Sequence, residues 1–297
     1  FQFDDGNHIA NNPAVADVGA FLASHPGARR VVVMFSFALN GTLGGKAVWG
    51  YHAVNLAIHL AAALAVYVLA AFACRRAGPI GSALERGAPV AALVAAALFV
   101  VHPVQTQAVT YVVQRMASLG ALLYLGAVLA YARAALEERA APRALAYGSA
   151  LALTALALFT KENAVTIPAT LALAEWAFLP GGVRTRAARL APVAALAAAS
   201  LLALAPAAAA SQAASGFAAI APIGAAAPTP GLPAWAAYAI TQPAAILTYL
   251  RLLVLPVGQS IDHDPALPAS ALEPSVLISA AALAALLGGA AWLAWRA

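Results

Sequence analysis

The sequence predicts an all-α polytopic membrane protein, a bundle of spanning helices with outer-face loops and an interfacial helix. Three observations predict it. Hydrophobic residues fill 63% of the 297 positions and charged residues only 9%, with mean hydropathy +0.84, so polar groups are too few to cover a soluble globule. Apolar runs approaching the ~20 residues that span a bilayer recur along the chain, and only helices or closed barrels satisfy the backbone in lipid. The basic residues also segregate between the connections in the way that sets membrane orientation.

Taken in order, residues 1–50 read as a first outer loop. It opens on FQFDDGNHI, which places Asp4 and Asp5 side by side. The chain has only 11 acids, so an adjacent pair at the mouth of a bundle is a candidate for chemistry, with helix capping as the structural alternative. The start at Phe1, without a charged cleavable leader, suggests a helix upstream of this sequence. Crossings are expected over Tyr51–Cys74, Ala88–Val101, Met116–Ala134, Leu145–Thr160, Ala164–Leu179, Leu190–Ala208 and Ser275–Trp295, together a bundle over 51–208 and a last helix in 275–297. Cys74, the single cysteine, ends an apolar run and is expected to pack there, with no disulfide framework or cysteine metal site.

The connections sort by charge. Placing Arg75, Arg76, Arg86, Arg133, Arg139, Arg143, Arg184, Arg186, Arg189 and Arg296 in the cytoplasm accounts for ten of the 16 basic residues, so topology absorbs the net charge of +5 and nucleic acid is not an expected partner. Arg29, Arg30, Lys46, Arg115, Lys161 and Arg251 then fall on the outer face with Asp4, Asp5, His102, Glu162, Asp262 and Asp264. The runs on either side of Lys161-Glu162-Asn163 are each about 16 residues long, below a comfortable span, so this junction is expected to lie sunken beneath the membrane surface. The run ending at Val101 should break at His102-Pro103. Within the outer loop 209–274, Trp235–Leu255 is interrupted by Gln242, Pro243 and Arg251 and reads as an interfacial or re-entrant helix. Trp49, Tyr51, Trp235 and Tyr238 fit an aromatic belt.

FQFDDGNHIANNP, FSFALNGTLGGKAVWGYHAVNLAIHL, FVVHPVQTQAVTYVVQRMASL, LFTKENAVTIP and YLRLLVLPVGQSIDHD, in that order across nearly the whole chain, resemble the membrane domain of the transmembrane and tetratricopeptide-repeat O-mannosyltransferases and their bacterial relatives. The resemblance implies a GT-C-like helical bundle that transfers a sugar from a polyprenyl-phosphate carrier to a protein, glycan or lipid hydroxyl. It also implies a site facing the lumen or, in a bacterial inner membrane, the periplasm. It makes Asp4 and Asp5 the acidic motif of the first outer loop. No tetratricopeptide repeat is visible. The family carries an acid where this chain has Gln107, which leaves any role needing a carboxylate there unfilled.

Such a transfer needs a carboxylate to take the acceptor's proton and to face an oxocarbenium-like centre, a role for Asp4 or Asp5. The same pair could instead hold Mg²⁺ or Mn²⁺; no metal or other cofactor is required by the sequence. The leaving phosphate needs fixed cations, for which Arg251 and Lys161 are the leading candidates with Arg115 behind them. His102, Gln107, Glu162, Gln259, Asp262 and Asp264 are expected to line the site. A transporter or lipid-handling protein, its intramembrane charges forming a path, and an inactive scaffold of the same fold are the alternatives.

Overall fold

A computed structural model describes residues 1–24, 30–79, 81–214, 234–260, 268 and 270–296, and in these every regular element is helical. Among the described residues six helices are long and apolar enough to cross a membrane, and the chain is an all-α, multi-pass integral membrane protein. It divides into two units, Phe1–Ala207 and Ala208–Ala297.

The first fifty residues, expected as an outer loop, contain helices. A turn at Pro13–Val15 leads into helix α1 (Val18–Ala23), capped by Asp17, and then into α2 (Val31–Gly44). Val33, Phe37 and Gly41 recur at helical spacing on the buried face of α2. Gly41 is required there, because a Cβ would stand 2.1 Å from the Ala16 carbonyl oxygen. These elements close over Tyr51, Tyr111, Val112, Val113 and Met116 to form one apolar core.

The spanning helices are α3 (Val48–Arg76), α4 (Ala83–Val101), α6 (Arg115–Leu136), α7 (Ala140–Leu158), α9 (Val183–Ala214) and, in the second unit, α11 (Pro274–Arg296). The short α5 (Thr106–Thr110) lies between α4 and α6. Alanine-rich seams at Ala127, Ala132, Ala150 and Ala157 bring α6 and α7 close enough for a second core, the close packing that small residues permit in lipid. α4 begins five residues earlier than its apolar run. Ser82 accepts from Glu85 N–H at 3.2 Å while the Glu85 carboxylate reaches back to Gly81 N–H at 2.5 Å, a capping arrangement that starts the helix in polar sequence. The helix still ends at Val101, with His102 extended before Pro103.

Two expectations are corrected. The run Ala164–Leu179 is not one spanning helix: Glu162–Thr166 is a 3₁₀ turn, followed by α8 (Ile167–Ala177) of 11 residues, on the order of 16 Å. Lys161 stands against Gly120, about one and a half turns inside α6, so this segment starts below the helix end. Arg184, Arg186 and Arg189 are not loop residues but stand on the first turns of α9, where Arg189 reaches back to Glu175 and to the Pro180 carbonyl.

In the second unit, the segment expected to lie at the interface is a continuous helix, α10 (Ala234–Val254), with Pro243 inside it, and it packs against α11.

Candidate functional site

The irregular stretch 102–114 joins α4 to α6 and, with the last carbonyls of α4, exposes backbone groups that lipid cannot satisfy. One face of α3 supplies the partners. Asn55 donates to the Val112 carbonyl at 3.3 Å, and the His52 and His59 imidazoles pair with the Val109 and Val100 carbonyls at 3.1 and 3.2 Å. These residues stand at i, i+3 and i+7 and so share a helix face, a polar stripe inside an apolar span that the sequence analysis passed over. His102 is used locally: its Nδ1 accepts from Val104 N–H at 3.2 Å and shapes the turn.

Arg115, expected near a phosphate, is instead sealed in the core at 0% exposure. Its Nε donates to Asn55 Oδ1 at 2.7 Å, Nη1 to the Ser36 carbonyl and hydroxyl at 3.1 and 3.3 Å, and Nη2 to the Tyr51 carbonyl at 3.1 Å. Its guanidinium also lies 4.7 Å from the centre of the Phe37 ring. It is therefore a hub binding α2, α3 and α6 together, with no face turned to a ligand.

Around that hub, the segment 111–120 gathers the charged candidates in sequence. The Asp4 N–H donates to the Tyr111 hydroxyl at 3.1 Å. Asp5 Oδ1 accepts from Val113 N–H at 2.7 Å and Oδ2 from Gln2 N–H at 2.9 Å. Arg30 donates to the Met116 sulfur at 3.7 Å and pairs with Glu162 at 3.3 Å. Lys161 packs on Gly120, where a Cβ would meet its own Cβ at 3.4 Å. Positions 113, 116 and 120 fall on one face, and Gly120 lies about one and a half turns inside α6, so the Lys161-Glu162 junction sits below the helix end.

The acid pair is split by burial. Asp5 is 1% exposed and spends both oxygens on backbone N–H groups, clamping residues 2–5 to the turn before α6. The Asp4 carboxylate is exposed, beside the Tyr111 hydroxyl. Burial holds the Tyr111 phenol above its ordinary pKa, and the charges of Asp4 and Asp5 push the same way. It stays protonated at neutral pH and keeps its own proton to donate. Among the described residues no three His, Cys, Asp or Glu side chains gather as a metal site. Lys161 has its pKa lowered by burial first and by Arg30 second, with Glu162 opposing.

Gln107 is half-buried on α5. Arg251 and Gln259 belong to the second unit, where Arg251 Nη1 donates to the Val257 carbonyl at 2.9 Å just past the end of α10. Asp262, Asp264 and Arg29 lie outside the described residues. Sequence reasoning missed Tyr111 and the partnership of Arg30 with Glu162; the second joins residues 132 apart, which no local pattern signals.

Parts of the chain are similar to known proteins. It is 37% identical over 144 residues to the protein O-mannosyl-transferase Tmtc2 of Drosophila melanogaster, covering 47% of this chain and 14% of that protein. It is 33% identical over 159 residues to Tmtc3 of the same fly, covering 48% and 17%. Against the human protein O-mannosyl-transferase TMTC4 it is 31% identical over 188 residues, covering 56% and 25%. The matched region thus spans a quarter or less of these relatives' length. No family model matches the chain, and no solved structure matches it.

Proposed function

We propose that the chain is a membrane glycosyltransferase that moves a sugar, mannose by likeness to its relatives, from a polyprenyl-phosphate carrier to a hydroxyl of a protein. The observation that carries this is that the one segment 111–120 carries an exposed carboxylate, Asp4, against its first residue and a half-buried lysine, Lys161, against its last. Asp4 takes the proton of the acceptor hydroxyl as its oxygen bonds to the sugar's anomeric carbon. The bond from that carbon to the phosphate oxygen breaks, and the electron pair leaves with the phosphate. Lys161 meets that developing charge, and Tyr111 and Asp5 hold Asp4 in place. A polyprenyl tail in lipid and a charged head at a sunken junction are compatible with a bundle of this kind. The site side corresponds to the face with fewer arginines, lumenal or periplasmic.

The test is transfer of labelled mannose from polyprenyl-phosphate mannose to acceptor protein by the full chain in membranes. Absence of transfer to any protein, with lipid transport present, overturns the proposal. The pH dependence of donor binding adds a sharper check. Lys161 is charged only below its lowered pKa, so donor affinity is expected to fall as pH rises through that value, below the 10.5 of an ordinary lysine. Lys161→Arg, whose guanidinium stays charged, should abolish the alkaline fall, and Lys161→Met should weaken binding about tenfold at neutral pH. Donor affinity that is flat with pH in the parent protein removes Lys161 from the phosphate.

A further inference from the structure

We propose that the cleft between α6, α7 and α9, at the end of the first unit away from Asp4, binds an anionic phospholipid, with the phosphate on Arg143 and an acyl chain in the cleft. The cavity holds about 420 Å³ and is walled by Ala134, Ala144, Ala188 and Pro192, with Arg143 and Arg189 also in its lining. Those two arginines differ. Arg189 is held by Glu175 in two bonds of 2.7 and 2.5 Å, and Glu175 also accepts from the Tyr131 hydroxyl at 2.6 Å. Arg143 is exposed, and no acid stands against it among the described residues. Nearby Glu137 is committed to Arg133 and Arg139 at 3.1 and 3.7 Å. The cleft therefore presents an apolar trough with one unneutralised guanidinium at its edge.

The pattern repeats at the same end of α6. A second cavity of about 400 Å³ is lined by Leu136, Val68, Ala71 and Phe72 together with Arg75 and Arg76, and Arg76 lies 5.9 Å from the centre of the Phe72 ring. A soluble anion would gain nothing from the apolar walls, and a zwitterionic lipid, whose own ammonium offsets its phosphate, would gain less from Arg143 than a lipid of net negative charge. An amphiphile whose phosphate charge is not offset answers both, since guanidinium binds phosphate through paired N–H groups and basic pockets between membrane helices recruit anionic headgroups. This site is separate from the sugar-transfer proposal and stands without it.

Native mass spectrometry of the purified full chain would test the site, using phosphatidylglycerol and phosphatidylcholine of equal chain length and inorganic phosphate as competitor. Phosphatidylglycerol should be retained about tenfold more than phosphatidylcholine. Arg143→Ala should remove most of that preference and Arg143→Lys part of it, with an unchanged melting curve. Ala144→Phe, which fills the trough and leaves the charge, should lower retention of phosphatidylglycerol independently. Equal retention of the two lipids overturns the proposal, as does parent-like binding in Arg143→Ala and Ala144→Phe. Displacement by inorganic phosphate at the same concentration would make it a free-anion site instead. Loss confined to Arg75→Ala with Arg76→Ala would move the lipid to the other cleft and likewise overturn it.

Discussion

Asp4→Asn is expected to lower sugar transfer by about 10²–10⁴-fold while the bundle stays assembled, the usual cost of removing a general base. The side chain is exposed, and its tie to the fold is made by its backbone N–H on Tyr111, which Asn retains. Donor binding should therefore be near that of the parent protein, with the loss falling on the chemical step. Asp5→Asn is expected to behave differently. An amide in place of the carboxylate turns an N–H₂ group toward one of the two backbone N–H donors now satisfied by Asp5, and a buried donor left unmet costs on the order of 1–3 kcal/mol. That variant should lose stability as well as activity, and faster hydrogen exchange at Val113 would report it. Full turnover in Asp4→Asn would remove the exposed acid from the reaction. Equal stability of Asp5→Asn and the parent protein would deny the clamp.

Arg115→Ala should be the most destabilising single change in the first unit. It empties the volume of a large, fully buried side chain and leaves Asn55 Oδ1 without the N–H group it holds at 2.7 Å. The Ser36 and Tyr51 carbonyls are in helices and retain helical partners, so they suffer less. A cost of about 2–4 kcal/mol follows from one unmet buried group and a cavity, reduced because helices in lipid find substitute partners. Arg115→Lys should recover little, since one ammonium cannot reach the three directions of the guanidinium fork. Denaturation in mixed micelles measures the loss. Arg115→Met tests the cation itself, because it fills the space without the charge. Parent-like stability of that variant would show that packing alone matters at this position.

Much of the fold was legible because membrane helices obey length and composition directly. The runs around α3, α6, α7 and α11 agree with the helices to within about five residues, since ~30 Å of hydrocarbon admits few alternatives. The start of α4 was missed although Ser82-Ala-Leu-Glu85 announces it, because hydropathy alone ignores polar first turns. The stripe His52, Asn55, His59 carried a usable signal for the same reason: three polar residues on one face of an apolar helix must meet protein.

By itself, then, the sequence determined the helical membrane class, the break at His102-Pro103 and the presence of an acid pair ahead of the bundle. These follow from local composition and from what lipid forbids. Only the tertiary structure decided which acid of the pair faces solvent, that Arg115 is a core hub, and that Arg30 pairs with Glu162. Each of those turns on contacts between residues 60 to 132 apart in the chain. A charged residue reads the same in sequence whether it meets water, a backbone N–H or an opposite charge; burial and the partner it finds, set by how distant helices pack, give it its role.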